Sequence, residues 1–387
     1  MDHSIFSGMQ ILLNHQWVKN QAVIVDKEKI KAIIPIEMVA HHLPAKRYEF
    51  PENHLLIPGL IDCHIHGVAN KDVMDGTEEA FIKISRALAI EGVTGFLATT
   101  MTADHDRIEK VLKLIPQAIK NQEGAAMLGV HLEGPFISKA KMGAQHGVYA
   151  EQPDFQLIEQ WQEMTEGAIK IVTLAPELSE ALPFIQRICH RGIKVSIGHT
   201  NATYKETCVA IKAGCTQATH LFNAMRGIHQ REPGAVSALL LSDDITAELI
   251  ADGIHLHPAV IELAYRLKGK EKIMLVTDAM RAKCLGDGQY DLCGQEVSVH
   301  GGKATLPDGT LAGSTLHMPQ AIKNMMQFSQ CSLIDAINMA SLNPARVLQL
   351  ENNKGSIAVG KDADLVVFNP DLEVMLTMRC GREIFRK

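Results

Sequence analysis

Six short apolar runs in this sequence hold imidazole or carboxylate groups at or near their C-terminal ends. The run 55–66 closes on Asp62, His64 and His66, and 126–134 on His131 and Glu133. His199 closes 193–200, and His220 lies within 217–224. Asp252 and His255 close 245–255, and Asp278 lies at the end of 273–279. Burying an ionisable side chain alone is costly, so each needs a partner. For so many imidazoles and carboxylates the simplest shared partner is a divalent metal.

His64 and His66 are two residues apart. On a strand such residues share a face, so both rings can reach one ion while Ile65 packs the other way. Imidazoles suit zinc or iron. A carboxylate can bridge two cations and an imidazole cannot, which singles out Glu133, set at a rim by the Gly134-Pro135 break. His131 shares its face and reads as an orienting group rather than a ligand. His199 and His220 end consecutive runs and make a metal pair. Asp278 fits a ligand and general base. Taken singly, each has a plainer reading as a core or capping residue; the constellation favours the metal.

Positioning these groups requires a parallel sheet. Eight apolar, β-branched runs recur (55–66, 94–100, 126–134, 169–177, 193–200, 217–224, 245–255 and 273–279). Helical patterns lie between most of them, as at 78–92, 203–214 and 258–269. Alternating strands and helices predict α/β architecture, and near-continuous apolar strands predict a sheet buried on both faces. Eight strands predict a (β/α)8 TIM barrel, with an open doubly wound sheet as the alternative. In a barrel the strand ends gather at one mouth, where active sites lie. Residues 1–55 and 350–387 read as β-rich and suggest one small β domain, a β-sandwich, built from both termini. That leaves 56–349 for the barrel, with a β insertion near 290–312.

The 387 residues carry 38 Lys+Arg against 44 Asp+Glu, a net charge of −6, and no long basic run. That argues against nucleic-acid binding. No apolar stretch approaches the ~20 residues of a membrane helix, and the N-terminus lacks a signal-peptide pattern. The reading is cytoplasmic. The eight cysteines contain no CxxC pair, which predicts free or buried thiols. His3, His15, His41, His42, His54, His105, His190, His300 and His317 are expected in solvent, and the 17 methionines in the core.

Nine motifs in order carry a family resemblance: PGLIDCHIHG, HLEGPF, SIGHTNAT, ATHLFNAM, REPG, ADGIH, LVTDAM, LAGS and GSIAVGKDADLVVFNP. From about residue 50 to 370 the chain resembles the N-acetylglucosamine-6-phosphate deacetylases of the amidohydrolase superfamily. The resemblance implies a metal-dependent barrel with a small β domain from both termini, usually a homodimer. It implies Glu133, His199 and His220 as metal ligands, with His64 and His66 serving a second ion. Two metals would be bridged by Glu133 where the superfamily often uses a carboxylated lysine. Asp278 would be the acid/base, close to the ions. Substrate contacts would be Asn223, Ala224, Arg231 as phosphate partner, His255, and Leu311, Ala312 and Gly313. Many relatives carry a histidine after Gly-Ala or Gly-Thr; this chain reads Gly143-Ala144-Gln145-His146, so either Gln145 or His146 would polarise the acetyl carbonyl. The implied reaction is hydrolysis of an amino-sugar phosphate's acetamide. Alternatives are the galactosamine epimer, a cyclic amidase such as a dihydroorotase or hydantoinase, and a catalytically silent sugar-phosphate sensor.

Overall fold

The computed structural model describes residues 3–39 and 44–387. His41 and His42 lie outside the described residues. Eight parallel strands form one sheet in sequential order: β1 (Leu60–Ile65), β2 (Val93–Thr99), β3 (Ala126–Glu133), β4 (Ile169–Leu174), β5 (Lys194–Ile197), β6 (Gln217–Ala218), β7 (Thr246–Leu249) and β8 (Ile273–Leu275). The sheet closes on itself at its C-terminal end. There the Asp278 N–H donates to the His64 carbonyl at 2.8 Å and the His66 N–H to the Ala279 carbonyl at 2.9 Å.

The apolar runs therefore form the strands expected of them, buried throughout β1 and β2. Helices at Glu78–Ile90 (α1), Tyr204–Ala213 and Pro258–Lys268 match the helical patterns. Thr77 caps α1 by accepting from the Ala80 N–H, and Thr203 and Glu206 form a capping box.

The run 55–66 departs from expectation. It is two strands, and only its second half is β1. Leu55–Pro58 instead lies inside a six-stranded sheet, between Gln10–Leu13 and Leu365–Phe368. Proline lacks the N–H a central barrel strand would use. A second sheet joins His3–Ser7, Gln21–Asp26, Lys29–Pro35 and Lys46–Glu49. Strands from both ends of the chain thus share a core of Phe6, Ile11, Val23, Leu56, Leu365 and Leu376. After β8, Gly288–Leu292, Gln295–His300 and Lys303–Thr305 form a three-stranded antiparallel sheet.

Candidate metal centre

The strand ends bring six ligand-type side chains to one point. His64 is fully buried, His66, Glu133, His199 and His220 nearly so, and Asp278 stands at the cavity wall. His199, His220 and Asp278 sit just past the ends of β5, β6 and β8 with φ of 46°, 32° and 48°. This left-handed region is uncommon for non-glycine residues and clusters at functional sites. Gly198, one residue earlier, is required by close approach: a Cβ there would lie 2.7 Å from Thr219 Cβ and 2.8 Å from Thr173 Cγ2.

Glu133 divides the cluster. Its Oε1 lies 3.1 Å from His199 Nε2 and 3.1 Å from His220 Nε2, and those nitrogens are 3.1 Å apart. Its Oε2 lies 3.2 Å from His66 Nε2 and 3.6 Å from His64 Nε2. Asp278 Oδ1 faces the same pair at 3.2 Å and 3.4 Å, and the two ring nitrogens are 3.4 Å apart.

These separations fit metal ligands. A tetrahedral ion with bonds of about 2.05 Å spaces its ligand atoms about 3.3 Å apart. The tautomers fit as well. His66 Nδ1 donates to the Thr99 carbonyl at 3.2 Å, His199 Nδ1 to the Lys141 carbonyl at 3.0 Å, and His64 Nδ1 to Glu248 at 2.9 Å. With its proton on Nδ1, each ring turns an Nε2 lone pair to the centre.

Charge points the same way. Burial opposes ionisation of Asp278, but His64, His66 and His220 outweigh it and bring its pKa down to about 2. Glu133 is likewise held well below the usual carboxylate range, His64 contributing most against burial. Burial alone would depress His66; Asp278 and Glu133 instead push it up to about 9. The carboxylates demand positive charge at the centre, and a divalent ion supplies it without protonating its own ligands. His131 is different. Burial and neighbouring His64 pull it down to about 4, and it bonds to the Cys63 carbonyl and Thr173, away from the centre.

A cavity of ≈ 250 Å³ opens above the cluster. Ala144, Gln145, Asn223, Ala224, His255, Leu311 and Gly313 line it beside His66, Glu133, His199, His220 and Asp278. Ala312 is buried between its two lining neighbours. His255 is held by Asp252, which accepts from its Nδ1 at 2.6 Å.

Two expected contacts do not reach this cavity. His146 Nε2 donates to the Cys293 carbonyl at 2.8 Å, which turns the ring toward the segment after β8. Gln145 faces the cavity instead: its Nε2 donates to Glu133 Oε2 at 2.7 Å, and its Oε1 accepts from the Thr102 N–H at 2.7 Å. Arg231 is exposed. Glu232 folds the turn by accepting from the Tyr204 and Gly234 N–H groups, and Arg231 is left in solvent.

One residue escaped the sequence reading. Glu248 lies in the middle of β7, fully buried, bonded to His64. Asp252 and His255, the candidates in the same run, lie in the loop that follows the strand. An acidic residue inside an otherwise apolar strand was the available signal.

The sequence model described as Amidohydrolase family matches residues 55–384. The chain is 41% identical over 385 residues to the N-acetylglucosamine-6-phosphate deacetylase of Bacillus subtilis (strain 168), covering 98% of this chain and 97% of that one. It belongs to the N-acetylglucosamine-6-phosphate deacetylase family, within the amidohydrolases. A similar relative at 36% identity is the N-acetylgalactosamine-6-phosphate deacetylase of Escherichia coli O157:H7, matched over 96% of each chain. Among solved structures, the N-acetylglucosamine-6-phosphate deacetylase from Pasteurella multocida superposes with a TM-score of 0.93 at 30% identity, covering 98% of this chain and 99% of that one. The amidohydrolase family is metal-dependent, and Glu133 with His199 and His220, and His64 with His66 and Asp278, are groups able to hold an ion.

Proposed function

We propose that this chain hydrolyses the acetamide of N-acetyl-D-glucosamine 6-phosphate, giving D-glucosamine 6-phosphate and acetate. The observation that carries the reading is the placement of Glu133, whose two oxygens each face a histidine pair with Asp278 opposite. Glu133, His199 and His220 would hold one divalent ion, zinc or iron, and His64 and His66 a second, with Glu133 between them and Asp278 beside the second. Such an ion supplies Lewis acidity, polarising the amide carbonyl and acidifying water. Asp278, fully ionised at neutral pH, takes the proton from the attacking water. It then returns the proton to the departing nitrogen, since an amide anion is too poor a leaving group to depart bare. Gln145 would be the donor to the acetyl oxygen as charge builds there, its Nε2 turning to it from Glu133; losing such a donor costs about 3 kcal/mol of barrier. Asn223, Ala224, His255, Leu311 and Gly313 form the wall against which the sugar phosphate is oriented, backed by Ala312 and with Ala144 beside Gln145.

The same reading includes a homodimer in the cytoplasm. Eight free cysteines support a reducing location, and among the described residues no helix is long and apolar enough to cross a membrane. It also divides the chain into a small β domain from 1–55 and 350–387 and a catalytic barrel over 56–349. The test is acetate release from N-acetylglucosamine 6-phosphate beside its galactosamine epimer and a cyclic amide. Faster turnover of the epimer would move the assignment to the 36%-identical relative's chemistry; turnover of the cyclic amide alone would end it.

A further inference from the structure

Glu248 touches both halves of the cluster with one atom. Its Oε2 accepts from His64 Nδ1 at 2.9 Å, and the same oxygen accepts from the His220 backbone N–H at 3.1 Å. His64 belongs to one ligand group and His220 to the other. Of the ligand-type histidines that donate from Nδ1, His66 and His199 lean on backbone carbonyls and His64 on a carboxylate. His220 has the smallest positive φ of the three strained residues, 32°, and its N–H is what Glu248 holds. Below Glu248, an interior chain of hydrogen bonds runs from His131 Nε2 to Thr173 at 2.7 Å, to Thr219 at 2.6 Å and on to Ser196 at 2.5 Å. This chain packs the barrel interior under the site but touches no ligand ring through Ser196.

We propose that Glu248 is a positioning residue that couples the two metal subsites, fixing the ring of His64 in one and the backbone of His220 in the other. A carboxylate acceptor makes His64 Nε2 a stronger donor and locks its tautomer. The same oxygen keeps the β6 end in the bent path that aims His220 Nε2 at Glu133. Losing the charge should therefore loosen both ions together, although Glu248 reaches neither. The proposal rests on the two-ion reading above.

The test compares wild type, Glu248→Gln and Ser196→Ala, each loaded with zinc, equilibrated against graded chelator, and counted for bound metal. Glu248→Gln keeps the shape and an acceptor oxygen without the charge. Wild type is expected to hold two ions per chain. Glu248→Gln should give up both at about ten- to hundredfold lower chelator, and its cobalt-loaded form should show shifted visible absorption. Ser196→Ala, equally buried in the barrel, should match wild type in both readouts. Two ions in wild type with unchanged retention in Glu248→Gln would overturn the coupling, and so would weakening confined to one ion. A wild-type count of one ion would instead sink the two-ion reading, and the coupling with it. Should Glu248→Gln fail to fold, Glu248→Asp, which keeps the charge but withdraws the oxygen by one methylene, takes its place with the same two outcomes.

Discussion

Asp278 Oδ1 stands 3.2 Å and 3.4 Å from the two rings of the His64-Ile65-His66 element, within the wall of the substrate cavity. Its amide variant keeps an oxygen for an ion but cannot accept a proton. Asp278→Asn should lower turnover about a thousandfold, within the range for a lost general acid–base, with the metal count unchanged. Acetate release and metal analysis on one sample check both halves; wild-type turnover would remove Asp278 from the proton path. At this scale the sequence was legible where alternation and strand ends speak, as for His64, His66, Glu133, His199, His220 and Asp278. It was silent where a backbone turn decides. Nothing in Gly143-Ala144-Gln145-His146 says which side chain faces inward, because that depends on the Cys293 carbonyl, 147 residues away, taking up His146. Arg231 is exposed and does not line the cavity, and the sequence around it does not say which way its turn faces.

Helix α1 is fastened to the barrel at its C-terminal end by a buried ion pair. Glu91, its C-cap, meets Lys283 at 2.5 Å and lies 3.4 Å from His317 Nδ1, and it accepts from the Met318 N–H at 2.8 Å. His317, expected to be free in solvent, is thus engaged on one side. Removing one member of such a pair strands the other, at a cost of about 3–5 kcal/mol. Glu91→Gln should therefore lower the thermal midpoint by several degrees. The pH dependence follows from the depressed carboxyl. Burial works to raise its pKa, but Lys283 and His317 outweigh burial and hold it below the ordinary value of 4.5. A carboxyl lowered on folding stabilises fully above its unfolded value, and that contribution fades as pH falls through the folded one. The gap in melting temperature between wild type and Glu91→Gln should thus be wide at pH 7 and close in acid. A gap that stays constant to pH 3 would contradict the assignment. Element types were readable from period and length; element extent was not. β6 is two residues long, Gln217–Ala218, where the apolar run has eight, because the chain bends immediately to present His220.

The whole molecule joins its two ends directly beneath the chemistry. Leu365–Phe368 pairs with Leu55–Pro58, and β1, which carries His64 and leads into His66, begins two residues later. A chain ending at Gln349 would lose Leu365–Phe368, Val374–Arg379 and Arg382–Arg386, leaving Leu55–Pro58 an apolar edge paired only with Gln10–Leu13. Such a truncation should yield little soluble protein, and any recovered should be depleted of metal and inactive. Full metal content and acetate release from it would show that the terminal sheet is dispensable. Both β-rich ends were visible as composition. Their pairing across more than 300 residues is a tertiary fact that local pattern does not encode.

The strained corners at His199, His220 and Asp278 carry a consequence for anyone who would toughen this molecule. Glycine at those corners would relieve a left-handed backbone that histidine and aspartate endure at a cost of about 1–3 kcal/mol each. Heat resistance and chemistry therefore pull in opposite directions at these three places. A selection rewarding survival at high temperature alone would be drawn toward sturdy proteins that no longer turn over.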